Sequence, residues 1–154
     1  IGDVLLDVLD DITRDDVVIM ELSSFQLDLM TISPQVGAIL NLTPNHLDRH
    51  KTMDAYVNAK LNIIAHQNTS NIAVLSADNQ LTKALETVVK GELAEFSSRS
   101  MVLNGTFVIG SRLMVSGTAS YDYVPHVLCE KDEIPLLGEH NVQNVLATSE
   151  QQPA

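Results

Sequence analysis

The chain has 154 residues, which is enough for one domain with a sizeable core. Hydrophobic residues make up 45% and charged residues 19% of it, values typical of globular proteins and not of disordered chains. Twenty acidic against nine basic residues give a net charge of −11, which argues against general binding of nucleic acid or of an anionic membrane. A small phosphorylated ligand is compatible with this charge if a metal ion or helix N-termini offset the repulsion.

Cysteine content and the absence of targeting signals indicate a cytoplasmic protein. The lone Cys129 has no partner for an internal disulfide, as expected in a reducing compartment. No apolar run approaches the ~20 residues that cross a bilayer, so no membrane insertion is expected. The first residues lack the basic-then-apolar order of a signal peptide and do not begin with Met, which predicts a processed or excised piece.

Strands and helices are predicted to alternate over the first 90 residues. Apolar, β-branched runs predict buried strands, and apolar residues at helical spacing predict helices. The predicted elements are a strand at 16–22, a short helix capped by Ser23 and Ser24, a strand at 36–43, a helix at 52–67, a strand at 71–78 and a helix at 79–89. This alternation favours an α/β fold with a doubly wound, mostly parallel sheet.

The pattern changes after residue 91, where short strands are expected. Asn104 and Gly105 lie between apolar runs, a strong hairpin signal. Further strands are predicted at 95–97, 124–128 and 134–136, followed by a helix that begins near His140. The prediction is one domain over residues 1–154, with a β-rich hairpin segment late in the chain.

Polar groups follow the first two predicted strands, where an open α/β sheet places its ligands. Glu21 closes the first strand, and His46 and Asp48 follow the second. A solvated or helix-capping Glu21 and a surface His46 are the alternatives. The run from His46 to His50 has the H-x-D-x-H pattern, but it follows a loop that contains Pro44, so its alternate residues are not expected to share a face.

Lys60 occupies the middle of the apolar stripe of its predicted helix. At 100° per residue, Met53, Tyr56 and Ile64 all project within roughly 60° of it. Burial of an unpaired ammonium is costly, so the pKa of Lys60 should fall unless it has a partner. A neutral buried amine can act as a base, as a nucleophile, or as the acceptor of carbon dioxide in a carbamate. The alternative is a lysine whose stem packs while its head reaches water.

Gly105 and Gly110 have the spacing of the glycines in a phosphate-binding loop. Ser111 and Arg112 follow where Lys and Ser or Thr are needed, and a hairpin is predicted where such a loop joins a strand to a helix. We therefore do not predict a phosphate loop here.

Four segments resemble, in order and spacing, the central domain of the Mur ligases, the ATP-dependent amide ligases of peptidoglycan synthesis. They are residues 21–27 (ELSSFQL), 41–50 (NLTPNHLDRH), 59–63 (AKLNI) and 138–144 (GEHNVQN). The S-S-F-Q-L run resembles the branch of the family that adds D-glutamate. The resemblance covers nearly the whole chain.

The resemblance implies roles for individual residues. Glu21 would bind a Mg²⁺ ion between the nucleotide phosphates, while His46 and a carbamylated Lys60 would serve a second Mg²⁺ ion and the substrate carboxyl region, where the chemistry occurs. Ser23 and Gln26, together with His46, match positions near the muramoyl-peptide substrate. The adenine of ATP would be contacted by Asn141 and Asn144, with His140 nearby.

The implied reaction joins D-glutamate to UDP-N-acetylmuramoyl-L-alanine through an acyl phosphate, with ATP as a substrate. In the family, a phosphate loop and a preceding Asn would lie before Ile1, and a UDP-binding N-terminal domain and a C-terminal domain flank the central one. We therefore expect an incomplete central domain that is inactive by itself. A folylpolyglutamate-synthase-like ligase and a non-catalytic nucleotide-binding or interaction module are the alternatives.

Overall fold

The computed structural model describes residues 5–117, 122–136 and 138–149. The helices within these ranges are α1 (Leu5–Val8), α2 (Ser24–Leu27), α3 (Leu47–His50), α4 (Met53–Ala65), α5 (Gln80–Ala84) and α6 (Glu139–Ser149), with 3-10 turns at Leu9–Asp11, Leu85–Val88 and Lys131–Glu133. The strands are β1 (Val36–Ile39), β2 (Ile72–Ser76), β3 (Glu92–Ser97), β4 (Gly105–Ile109), β5 (Arg112–Gly117) and β6 (Asp122–Glu130). In the described part of the chain, no helix combines the length and hydrophobicity needed to cross a membrane.

The described strands form one mixed sheet in the order β1-β2-β3-β4-β5-β6. The three pairs from β1 to β4 are parallel. The two pairs from β4 to β6 are antiparallel. The expected α/β fold, mostly parallel with an antiparallel segment late in the chain, is confirmed.

Apolar side chains cover both faces of the parallel part of the sheet. Along β2, Ala73 and Leu75 belong to a core cluster that also contains Ile64 of α4. The intervening Val74 belongs to a second cluster with Leu146 of α6. Since successive side chains of a strand point to opposite faces, α4 and α6 cover opposite faces of the sheet.

Helix α4 forms where its periodicity predicts a helix, at 53–65 within the predicted 52–67. The Thr52 hydroxyl accepts a hydrogen bond from the Ala55 amide (3.1 Å) and so caps the first turn. Tyr56, Ala59 and Ile64 are buried on the face turned towards the sheet. The helix therefore combines a local start signal with a core-facing stripe.

The segment 16–22 does not form the predicted buried strand. It has no regular secondary structure, and Val17 is 70% and Ile19 79% exposed. Among the described strands, β1 pairs only with β2, and a groove of about 430 Å³ separates residues 16–20 from Val36 and Ala38 of β1. The prediction was wrong because β-branched composition favours extended backbone, whereas a strand also needs a hydrogen-bonding neighbour.

The hairpin turn is not at Asn104-Gly105 but at Gly110 and Ser111, between β4 and β5. Gly105 instead starts β4 with a φ of 140°, where an added Cβ would lie 1.8 Å from the Glu95 carbonyl oxygen. Glycine at this position allows β4 to approach β3 closely. The strand predicted at 134–136 is also not observed, since β6 ends at Glu130.

Candidate functional site

Helix α2 begins three residues after Glu21, and a capping box fixes its first turn. The Ser23 hydroxyl accepts from the Gln26 amide (3.3 Å), and the Gln26 side-chain oxygen accepts from the Ser23 amide (2.9 Å). The predicted cap is confirmed at Ser23. Ser23 and Gln26, both predicted near the substrate, are thus bonded to each other in this structure.

Glu21 and Lys60 lie close enough to interact electrostatically, although they come from different elements. Lys60 projects from α4 and is half-buried, whereas Glu21 is exposed. Burial lowers the pKa of the Lys60 amine, and the Glu21 carboxylate acts in the opposite direction. The burial expected from the apolar stripe is present. Because burial lowers the pKa, a larger fraction of the Lys60 amine is neutral than in an ordinary surface lysine.

His46 lies at the start of the one-turn helix α3 in a left-handed conformation, with a φ of 53°. Its side chain is exposed, and its ring meets the Phe25 ring edge-on at a centroid distance of 5.4 Å. The H-x-D-x-H run wraps around this turn, so that His46, Asp48 and His50 do not share a strand face, as expected from the preceding Pro44.

A cluster of rings that was not predicted from the sequence surrounds this turn. Phe25 and His50 stack with centroids 5.0 Å apart and an interplanar angle of 2°. The His50 ring meets Tyr56 edge-on at 5.6 Å, and its Nε2 lies 2.9 Å from the Ser24 hydroxyl. Arg49 lies over the Phe25 ring at 4.4 Å. The aromatic residue within S-S-F-Q-L, Phe25, is the sequence feature that could have indicated this cluster.

A second network that sequence reasoning missed joins the carboxyl ends of β2 and β3. The Asp78 carboxylate accepts from the Ser97 hydroxyl (2.6 Å), the Ser98 amide (2.8 Å) and the Ser98 hydroxyl (2.9 Å). Gln143 of α6 donates to the Ser98 hydroxyl at 3.4 Å. An acid at the end of a predicted strand was the signal for Asp78. The network holds α6 over this edge of the sheet.

His140, Asn141 and Asn144 lie in the first two turns of α6, and His140 and Asn144 are exposed. The opposite side of the helix buries Val142 and Leu146 against the sheet. These three residues lie on α6, whereas Glu21 precedes α2, His46 precedes α3 and Lys60 lies on α4. The structure therefore arranges the predicted residues in two groups, one around α2 and α4 and one on α6.

The described residues contain no group of three acidic, histidine or cysteine side chains arranged to hold a metal ion. Glu21 supplies one carboxylate, but an amine at Lys60 supplies no oxygen. Mg²⁺ prefers oxygen ligands in an octahedral arrangement and keeps several waters. The donor set fits Mg²⁺ only if Lys60 carries an anionic oxygen group such as a carbamate.

Comparisons with known proteins place this arrangement in a family. The family model described as "Mur ligase middle domain" matches residues 4–150. The UDP-N-acetylmuramoylalanine–D-glutamate ligase of Clostridium kluyveri is 41% identical over 147 residues, which is 96% of this chain and 30% of that protein. The ligases of the same name from Clostridium botulinum strain 657 and Clostridium acetobutylicum are 38% and 37% identical over the same length. The chain thus spans about 30% of the length of these curated relatives.

Solved structures support the fold. A UDP-N-acetylmuramoyl-L-alanyl-D-glutamate–2,6-diaminopimelate ligase superposes with a TM-score of 0.63 over 84% of this chain and 28% of that chain, at 20% identity. MurF from Acinetobacter baumannii superposes with a TM-score of 0.56 over 83% of this chain and 27% of that chain, at 19% identity. With a family model that covers nearly its whole length and relatives near 40% identity, the chain belongs to the Mur ligase middle domain family.

Proposed function

We propose that this chain is the ATP-handling segment of a cytoplasmic ligase that joins D-glutamate to UDP-N-acetylmuramoyl-L-alanine. The observation that carries the proposal is the half-buried Lys60 amine of α4 within electrostatic range of the Glu21 carboxylate, which precedes α2. The Phe25 ring of α2 also contacts the His46 ring. The names of the curated relatives support the choice of the D-glutamate branch over a folate-type ligase. The lone Cys129 fits the cytoplasmic location.

Lys60 acts in this proposal as a carbamate. Burial lowers the pKa of the amine and so increases its neutral fraction. The neutral amine attacks the carbon of carbon dioxide, an N–C bond forms as one C=O π bond opens onto oxygen, and one proton leaves to water, so that the neutral amine becomes an anion. The Glu21 carboxylate would then hold one Mg²⁺ ion, and the carbamate oxygens together with the His46 imidazole would serve a second. Bound Mg²⁺ would neutralise phosphate charge that a chain of net charge −11 would otherwise repel.

The proposed reaction uses the ATP γ-phosphate to activate the substrate carboxylate as an acyl phosphate. The amine of D-glutamate then attacks the acyl carbon, and inorganic phosphate leaves with the bonding electrons. We assign this step to Lys60 and His46, and we assign the binding of the muramoyl substrate to Ser23 and Gln26 at the start of α2. Positioning and electrostatic stabilisation are the main contributions that a protein makes to such a transfer.

The adenine of ATP is assigned to the start of α6. Asn141 and Asn144 are one turn apart on this helix, and side-chain amides both donate to and accept from a purine edge. His140 precedes them, with its ring against Gly138, where an added Cβ would lie 2.8 Å from the imidazole Cε1 atom. The Asp78–Ser98–Gln143 network fixes this helix over the ends of β2 and β3.

A substitution of Lys60 tests the proposal in a full-length ligase that carries these residues. Lys60→Ala is expected to lower kcat at least about 100-fold, as loss of a metal-ligating group does. Added short carboxylic acids should restore part of the activity, and Lys60→Arg should not. Lys83→Ala is the matched control, because Lys83 is an exposed lysine on α5. Full activity of Lys60→Ala would refute the proposal.

A second experiment uses the 154-residue chain itself. After incubation with ¹³C-bicarbonate, a carbamate carbon resonance should be present in the wild type, should remain in Lys83→Ala and should be missing in Lys60→Ala. Calorimetry then measures whether the chain binds ATP in the presence of Mg²⁺. Tight binding of a protein partner together with no response to Mg²⁺ and ATP would favour the non-catalytic module instead.

A further inference from the structure

The turn that carries His46 is too short to hold its own conformation. Helix α3 comprises four residues, and residues with positive φ lie at both ends, at His46 (53°) and Lys51 (69°). A single helical turn is unstable in isolation because few hydrogen bonds compensate the loss of backbone entropy. A non-glycine residue in the left-handed region adds strain that its surroundings must hold. The position of the His46 ring therefore depends on contacts from outside α3.

Most of those contacts run through His50, the last residue of α3. Its ring stacks on Phe25 at 5.0 Å, and its Nε2 lies 2.9 Å from the hydroxyl of Ser24, which is buried to 2% exposure. Its edge contact to Tyr56 at 5.6 Å extends the cluster to α4. The His50 imidazole thus joins α3 to α2 and α4. Its ring stacking and its hydrogen bond act in different directions and so restrict its orientation.

We propose that His50 is a positioning residue that fixes the imidazole of His46 by fastening α3 to α2. The path is short: His50 stacks on the Phe25 ring, and the same ring meets the His46 ring edge-on at 5.4 Å. This inference rests on the proposed function, in which His46 serves the ligand site. His50 itself is turned towards Ser24 and Phe25 and is not assigned a contact with substrate.

The positioning role has a readout that does not depend on catalysis. The Phe25 ring current should displace the ring-proton resonances of His46 from their ordinary positions in the NMR spectrum of the 154-residue chain. In His50→Ala, α3 loses its attachment, and this displacement of the His46 resonances should be lost. His66→Ala is the matched control, because His66 is an exposed histidine at the end of α4, outside the cluster.

Ser24→Ala provides a second variant that removes one hydroxyl and leaves the stacked rings in place. It breaks the 2.9 Å contact to His50 and should reduce the His46 displacement while the chain stays folded. If His50→Ala unfolds the chain, Ser24→Ala decides the question. Unchanged His46 resonances in every folded variant would overturn the proposal.

Turnover in a full-length ligase that carries these residues links the cluster to the reaction. His50→Ala should lower kcat by about 10-fold to 100-fold, the range found when the partner that orients a functional histidine is removed, and should leave the KM for ATP unchanged. An unchanged kcat combined with lost His46 displacement would overturn the role of His50 in the reaction. If the wild-type ligase lacks turnover, the proposed function fails, and the NMR result still decides whether His50 fixes His46.

Discussion

Asn79 fastens the loop after β1 to the start of α5, and its loss should measurably destabilise the chain. Its Oδ1 accepts hydrogen bonds from the amides of Leu81 (3.0 Å) and Thr82 (3.1 Å), and so caps the helix. Its Nδ2 donates to the side-chain oxygen of Asn41 (3.0 Å) and to the carbonyl of Leu42 (3.2 Å). One side chain thus joins two loops at the carboxyl edge of the sheet.

The expected loss follows from these two functions. Removal of an N-cap costs about 1 kcal/mol. The bond to the Leu42 carbonyl is partly buried, and a bond of this kind contributes about 1 kcal/mol. Asn79→Ala should therefore lower the free energy of unfolding by about 2 kcal/mol. For a chain of this size, about 2–4 °C per kcal/mol corresponds to a decrease in Tm of about 4–8 °C.

Urea and thermal unfolding, followed by circular dichroism, measure this loss. Asn79→Asp separates the two contributions, since it keeps the capping oxygen and removes the amide donor, and about half of the loss should remain. Asn58→Ala is the matched control, because Asn58 is an exposed asparagine on the outer side of α4. An Asn79→Ala chain as stable as the control would refute the argument.

Two further predictions concern β3 and β4. Gly105→Ala should lower the free energy of unfolding, measured in urea, by at least about 3 kcal/mol, because the added Cβ would lie 1.8 Å from the Glu95 carbonyl oxygen at a φ of 140°. Gly110→Ala should lower it by only about 1 kcal/mol, because Gly110 lies in open space and only its φ of 61° is unfavourable for alanine. Burial, and then the nearby Glu86 carboxylate, raise the pKa of Glu95. Ionised Glu95 therefore opposes folding above its folded-state pKa, and Glu95→Gln should stabilise the chain at pH 7 by under about 1 kcal/mol. This gain should disappear as the pH falls through the raised pKa towards the ordinary value, and a gain that persists at low pH would contradict the assignment.

Features set by neighbouring residues along the chain were predictable from the sequence. Helix α4 was found from the spacing of its apolar residues and from the Thr52 cap, and the start of α2 from Ser23. The half-burial of Lys60 followed from the same helical periodicity. In each case the determinant lies within one or two helical turns of the residue concerned.

Features that depend on distant partners were not predictable in this way. The segment 16–22 has strand composition, but pairing is decided by what lies beside it in space. Asn104-Gly105 has the composition of a hairpin turn, yet the Asn104 side chain donates to the Leu93 carbonyl (2.7 Å) and Gly105 enters β4. The stack of Phe25 on His50 joins two helices that are separated by more than a strand in sequence. Local patterns therefore identified the elements, and tertiary contacts decided which residues they bring together.

The electrostatic interaction between Glu21 and Lys60 is itself a tertiary feature that depends on how α2 packs against α4. The contact is made by Asn62, two residues beyond Lys60 on α4, whose Nδ2 donates to the carbonyl of Leu27 (3.0 Å) at the end of α2. The Ser33 hydroxyl donates to the Asn62 carbonyl (2.8 Å) from the loop that leads into β1. Leu27 itself is buried to 1% exposure, and both hydrogen bonds of this junction are partly buried, so breaking them leaves polar groups that water only partly satisfies. The packing of α2 on α4 thus places the segment that precedes α2 within electrostatic range of the half-buried Lys60 amine, which explains how a residue outside regular structure can occupy a defined place in the candidate site.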